Sequence, residues 1–456
     1  MTPFIVRRMP GALRRRLEGS PRLRRVVANF GWLFGDRMIR LGVGMIVSVW
    51  VARYMGPERF GIFSYVQAVI AVFLGLSTLG LDYVVVRELV KDVREKTRIL
   101  GTTLALRFIG AMLAVMASNL VVFLFKPGNH LFHLLAAIMG SAAIFQAFDT
   151  IDLWFQSQVQ SKYTVIVKNS AFGLMACVKV GLVLAKAPLV AFAWAVLAEA
   201  GLGALLLIVA YRHKREALSA WRVDRLLAKS LMRTAWPLIL SGLAVMISIR
   251  TDQIMHGQLG TDRTVGGYTA ASRLTELWYF IPTAIVSSLM PAIVESKQAG
   301  EAFYYRRFQQ LLRIMVALAL AIVIPTTFLA RYVVVLLYGP AFVDAGPILA
   351  VHIWTAEFVF VGVAQGPWFV IEELTQLSLV RTVAGVVVNV TLNLVLIPRF
   401  GGLGAAVASL AAQLTCNVLM NYFDRRTRHL FWMALRAFNL LAVWGSDEGP
   451  AQPPHG

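Results

Sequence analysis

The sequence predicts an all-α membrane protein of about twelve transmembrane helices, arranged as two six-helix lobes related by a parallel internal repeat. Three observations carry this expectation. The 456 residues are 58% hydrophobic and only 15% charged, too apolar to cover a soluble surface. Apolar runs of about 20 residues, the length that crosses a hydrocarbon core as helix, recur from Phe30 to Phe423, twelve in all. Finally, segments 213 positions apart share residues.

A basic leader, residues 1–29, comes first. It carries Arg7, Arg8, Arg14, Arg15, Arg16, Arg22, Arg24 and Arg25 without a compact apolar stretch and small-residue cleavage site, so it reads as a retained segment on anionic headgroups rather than a signal peptide. The N-lobe, residues 30–211, holds spans Phe30–Tyr54, Phe60–Val86, Ile99–Phe125, Leu131–Phe155, Tyr163–Ala185 and Leu189–Tyr211. A cytoplasmic linker, 212–230, leads to the C-lobe, 231–423, with spans Leu231–Leu259, Gly266–Val294, Leu311–Arg331, Pro347–Phe369, Leu377–Ile397 and Leu403–Phe423. Short connections favour antiparallel neighbours, and the need to satisfy backbone groups inside lipid favours helices at these run lengths. Residues 424–456 read as an interfacial helix followed by a disordered tail. Cys177 and Cys416 both fall within spans, which disfavours a disulfide framework.

The net charge of +20 is distributed by side rather than by domain. With the N-terminus taken as cytoplasmic, 29 of the 44 Lys and Arg lie on that side, seven lie on the other, and eight fall inside spans. This is the positive-inside bias, which places both termini in the cytoplasm and removes the need for a nucleic-acid partner.

The 213-residue shift takes Val121, Val122, Leu124, Pro127 and Ala137 to Val334, Val335, Leu337, Pro340 and Ala350. It also takes Ala193, Ala195, Leu197 and Ala198 to Ala406, Ala408, Leu410 and Ala411. "MGPERFGIFSY" from Met55 resembles "LGTDRTVGGYT" from Leu259, each with an acidic residue and an arginine after a glycine. An even number of crossings separates the copies, so both halves share one membrane orientation, as in many secondary transporters. Gly56 and Pro57 make the first of these peptides a tight outer corner between spans 1 and 2.

"VARYMGPERFGIFSY", "GLDYVVVREL" and "LLYGPAFVDAGPILAV" resemble the Wzx-type polysaccharide flippases of the multidrug/oligosaccharidyl-lipid/polysaccharide exporter superfamily, over Asn29 to Phe423. The resemblance implies a bacterial inner-membrane protein that moves an undecaprenyl-diphosphate-linked oligosaccharide from the cytoplasmic to the periplasmic leaflet, without nucleotide hydrolysis. It implies a place in O-antigen, capsule or exopolysaccharide synthesis, beside a polysaccharide polymerase and a chain-length regulator. A central cavity bordered by spans 1, 2, 7 and 8 is part of the same expectation.

Eight cations fall inside spans: Arg37, Arg40, Arg107, Lys168, Lys179, Arg233, Arg250 and Arg273. A cation facing lipid at mid-bilayer costs roughly 2.5–3.5 kcal/mol, so the deep ones are expected to face protein or water, while Arg37 and Arg233 near span ends can snorkel. Arginine binds phosphate oxygens in a planar fork and lysine acts as a point charge. Arg40, Arg250 and Arg273 are therefore the expected contacts to a diphosphate, with Arg107, Lys168 and Lys179 shaping the field. The competing reading makes these cations structural partners of Asp36, Asp149, Asp152, Asp252 and Glu276. No cofactor is expected. The drive is sought in the membrane potential, worth roughly 4–5 kcal/mol per 100 mV for about two charges, or in proton or sodium entry through Asp149, Asp152, Glu276 or Glu357.

A multidrug exporter of the same superfamily would want carboxylates to dominate its interior, and a lipid II flippase usually carries two more helices. A membrane glycosyltransferase or polymerase would need carboxylates on a sizeable outer loop, and these outer connections are short. There is no G-x-x-x-x-G-K-[ST] loop, and His130 and His133 lack the context of a metal site.

Overall fold

A computed structural model describes the backbone of residues 21–439, and the side chains of residues 35 and 37–439 other than 36, 241, 244 and 291. The expectations for residues 1–20, for the side chain of Asp36 and for the tail 440–456 lie outside the described residues. Within them every regular element is helical.

The elements are α1 Pro21–Thr78, α2 Leu81–Lys91, α3 Lys96–Phe125, α4 His130–Gly140, α5 Ala142–Gln146, α6 Thr150–Ser157, α7 Ser161–Leu184 and α8 Leu189–His213. They continue with α9 Arg225–Leu259, α10 Asp262–Glu276, α11 Phe280–Gln298, α12 Glu301–Tyr338, α13 Ala345–His352, α14 Thr355–Ile371 and α15 Thr375–Leu414. A π-helical turn, Thr415–Leu419, joins α15 to α16 Met420–Phe423, and α17 Arg428–Ala437 follows.

Among the described residues eight helices are long and apolar enough to cross a membrane, and ten if each of two bent pairs forms one span. Two of these are far too long for a single crossing, the 55-residue stretch Arg37–Lys91 and the 49-residue stretch Thr375–Phe423. At about 1.5 Å per residue either would overshoot a core of about 30 Å. Both are broken at a glycine. Gly56 (φ 71, ψ 169) breaks α1 just before Pro57, a residue suited to open the second half because its missing N–H is not needed there. Gly401 (φ 55, ψ −132) breaks α15. With each bent pair taken as one span and each broken stretch as two, the described residues offer twelve passes, the number of apolar runs in the sequence.

The internal repeat is written into the element boundaries. α3 ends at Phe125 and α12 at Tyr338, both 213 residues apart and each followed by a turn with a positive-φ glycine, Gly128 or Gly339. The interruption at Ser141 recurs at Trp354, and Pro188 before α8 corresponds to the Gly401 kink.

Two compact units divide the chain. The first contains residues 1–54 and 66–247, the second residues 55–65 and 248–456. The linker and the inner half of α9 thus belong with the first unit, for a visible packing reason. Leu231 and Ala235 are buried in one cluster with Leu81, Val84, Leu89, Trp154 and Phe155, while Gly80 (φ +58) lies so close to Leu238 and Ile239 that a Cβ there would overlap them.

In the second unit the corner peptide 55–65 packs on the start of α10. A Cβ on Gly61 would collide with the Asp262 carbonyl, and one on Gly266 with the Pro57 carbonyl. The contact is reciprocal: each peptide offers a carbonyl to the glycine of its counterpart. Tyr65 extends it by accepting a hydrogen bond from Gln258 Nε2 at 2.6 Å. α10 itself begins with a reciprocal cap between Thr261 and Thr264, which satisfies backbone N–H groups left open at a helix start. Buried Tyr338, Phe342, Phe360 and Trp368 fill the core of this unit.

Candidate functional site

Three of the sequence-selected cations are engaged by carboxylates inside the first unit. Arg107 of α3, almost wholly buried, pairs with Asp82 of α2. Lys168 of α7 reaches both Asp149 at 2.8 Å and Asp152 at 3.1 Å. Lys179, three turns further along the same helix, pairs with Glu199 of α8 at 2.6 Å. Asp149 and Asp152 are among the carboxylates named in the ion-pair reading, whereas Asp82 and Glu199 were not singled out by sequence. Arg40, also in the first unit, lies 5.4 Å from the centre of the Phe172 ring. Its expected pairing with Asp36 rests on a side chain outside the described residues.

Arg250, Asp252, Arg273 and Glu276 all belong to the second unit. Arg250 donates to Gln253 at 3.4 Å rather than pairing with Asp252. Arg273 lies 5.1 Å from the centre of the Phe60 ring, within electrostatic range of Glu276 and Arg250. A cation over an aromatic face gains from the ring quadrupole, so Phe60 helps hold a charge in an apolar setting. Glu357 of α14 is 1% exposed, and neither of its oxygens has a hydrogen-bond partner among the described residues.

Asp252 is the best-organised polar centre of this unit. Its Oδ1 accepts from Asn389 Nδ2 and Asn393 Nδ2, each at 2.7 Å. Oδ2 accepts from the Tyr268 hydroxyl at 2.8 Å and from Ser409 Oγ at 2.5 Å. The donors come from α10 and from both halves of α15. Asn389 and Asn393 are four residues apart, hence on one helical face. The Tyr268 ring lies between His352 of α13, at 5.5 Å, and His256 of α9, at 5.8 Å. Both ring nitrogens of His256 are buried without a hydrogen-bond partner among the described residues. Gly402 and Gly260 leave room for that imidazole, since a Cβ on Gly260 would overlap it.

Four neutral donors hold a carboxylate that forms no ion pair with Lys or Arg among the described residues. Hydrogen bonds lower the cost of burying such a charge, but they do not cancel it. Sequence reasoning singled out Asp252 and missed its donors, because it counted intramembrane charges and passed over neutral polar residues. The available signal was an Asn at positions i and i+4 of an otherwise apolar span, together with two histidines inside spans.

Arg381 corrects the sequence reading in another way. Inside the expected span Leu377–Ile397 but not among the eight cations singled out, it is 6% exposed within α15. It donates to Gln365 Oε1 and Asn421 Oδ1, each at 3.0 Å, and its guanidinium lies 4.3 Å from the Phe369 ring centre. The π-helical turn carries Asn417 and Cys416 into the same region, against Gly362 and Gly385. His133 Nε2–H donates to the Lys126 carbonyl, 3.0 Å away, and thereby secures the turn before α4. No group of three or more His, Cys, Asp or Glu suited to a metal ion occurs among the described residues. Cys177 and Cys416 are free thiols.

Residues 26–297 match the family described as polysaccharide biosynthesis protein. A probable flippase, AglR of Haloferax volcanii, is 30% identical over 176 residues, 37% of this chain. The matched part spans only 36% of that relative's length. Among solved structures, the lipid II flippase MurJ in an inward closed conformation superposes with a TM-score of 0.70 at 13% identity, covering 92% of this chain and 94% of that one. An inward-facing multidrug resistance MATE family transporter of the MOP superfamily gives 0.69 at 17% identity, covering 91% of this chain and all of the other. At these identities the structural likeness establishes the fold.

Proposed function

Because this chain belongs to the polysaccharide biosynthesis protein family, we propose that it is a flippase for an undecaprenyl-diphosphate-linked oligosaccharide. It carries this glycolipid from the cytoplasmic to the periplasmic leaflet of a bacterial inner membrane by alternating access, and it is not an enzyme. The observation that carries the reading is the family match over residues 26–297 on a chain whose fold is that of MOP-superfamily transporters. The similarity to a probable flippase supports it further.

In this reading Arg40, Arg250 and Arg273 are the candidates for diphosphate contact, since guanidinium suits phosphate oxygens. Arg107, Lys168 and Lys179, held by carboxylates, set the electrostatic background. Asp252 supplies the coupling: a proton or sodium ion taken up there neutralises the carboxylate and changes the hydrogen bonds that join α9, α10 and α15. A polysaccharide polymerase and a chain-length regulator act on the product, and both termini lie in the cytoplasm.

The test is deletion of the gene followed by analysis of lipid-linked intermediates on either side of the membrane. Accumulation of completed units in the inner leaflet is the expected result. Unpolymerised units accumulating outside would overturn the proposal in favour of a polymerase, and undisturbed glycolipids with altered drug tolerance would favour a multidrug exporter.

A further inference from the structure

The connection between α8 and α9 has the composition of an ordinary linker, yet it is fastened along its length to the first unit. Lys214 Nζ donates to the Tyr163 hydroxyl at 2.6 Å, and Glu216 pairs with Lys96 at 2.6 Å. Trp221 Nε1 donates to the Tyr211 hydroxyl at 3.0 Å, and the Arg222 N–H donates to the Thr97 carbonyl at 3.1 Å. The backbones run so close at Gly101 that a Cβ there would overlap Arg222.

These contacts end on Asp224, whose polar atoms serve three neighbours. Its N–H donates to Thr102 Oγ1 at 3.0 Å, Oδ2 accepts from Arg98 Nε at 2.8 Å, and Oδ1 accepts from the Leu227 N–H at 2.8 Å. The last bond caps the start of α9, the helix that carries Arg250, Asp252 and His256. Beyond the cap, α9 packs into the first unit as far as residue 247 and is bent by 46° between Arg225–Leu240 and Val245–Leu259.

We propose that Asp224 is a positioning residue for transport: capping α9 with one carboxylate oxygen and holding Arg98 with the other, it fixes the inner half of α9 to the first unit. Flexing during turnover is then confined to the bend at Leu240–Val245 instead of being taken up by the connection. The role of α9 in transport rests on the flippase reading, but the fastening itself does not. The hydrogen bond from Leu227, reinforced by Arg98, holds the Asp224 carboxyl below the usual aspartate range. A depressed carboxylate contributes its stability above the unfolded value of about 3.9 and loses it as pH falls through the folded value. Between pH 8 and pH 5 the fastening therefore stays closed, whereas salt, which cuts the Debye length from about 30 Å at 0.01 M to about 3 Å at 1 M, weakens its Arg98 arm.

The test combines trypsin cleavage at the exposed Arg222 and Arg225 in purified protein with surface polysaccharide in the deletion strain, at matched protein levels. Asp224→Ala should accelerate cleavage roughly tenfold through loss of cap and ion pair together and lower surface polysaccharide. Asp224→Asn, which keeps a capping oxygen, should restore most of both and lose the salt dependence. Should the alanine variant fail to fold, Asp224→Asn and the exchange of Asp224→Arg with Arg98→Asp carry the test: the exchange should recover salt-dependent protection but not the cap. Faster cleavage with undiminished surface polysaccharide would overturn the positioning role, and unchanged cleavage in every variant would overturn the fastening. If deletion of the gene leaves glycolipid sidedness undisturbed, it is the flippase reading that falls, and the cleavage results stand apart from it.

Discussion

Asp252 sits where a charge is expensive and is surrounded by groups that share the burden without neutralising it. An Asp252→Asn substitution keeps the volume and removes the exchangeable charge. The expected outcome is loss of complementation in a deletion strain, with thermal unfolding in detergent unchanged or raised. Asn393→Ala removes one donor from the same carboxylate and should destabilise the protein by about 1–3 kcal/mol, read from the same unfolding measurement. Arg381→Leu strands the amide oxygen of Asn421 and leaves Gln365 Oε1 with the Asn421 amide alone, and a loss of at least about 2 kcal/mol is expected. At this scale legibility followed formal charge. Asp252, Glu357 and the paired lysines could be singled out because an ionised group inside an apolar run is conspicuous. Asn389, Ser409 and His352 were not, since nothing in a linear pattern shows that residues from α9, α10, α13 and α15 converge.

The reciprocal glycine contact between the corner peptide and α10 is a feature of elements, because it depends on two helix starts crossing without side chains between them. Gly61→Val should force them apart. In a variant lacking Cys177 and Cys416, a cysteine placed at Glu58 is expected to react faster with an impermeant maleimide from outside once valine replaces Gly61; an unchanged rate would show that the crossing does not shield the corner. Helix ends were the least legible part of the sequence. α9 starts at Arg225 and α12 at Glu301, well before their apolar runs, because Arg, Lys, Gln and Glu are good helix formers and extend the helices past the lipid. The corner at Gly56 was legible, since Gly followed by Pro both permits the positive φ and opens the next helix.

For the whole molecule, the charge bias and the repeat were legible because each is a sum over many residues. Reporter fusions test the orientation: a cytoplasmic reporter fused after Gly456 should be active, and an active periplasmic reporter there would reverse the assignment. The division into units depends on which of two bodies a helix touches, and hydropathy is blind to that. Its consequence reaches into biosynthesis. The corner at 55–65 emerges early, but the glycine it packs against, Gly266, is 205 residues away from its own Gly61. At about 5–20 residues per second, the ribosome leaves that hairpin waiting roughly 10–40 s for its seat. During this interval the nascent chain depends on the insertion machinery to keep the bare corner from engaging a wrong neighbour.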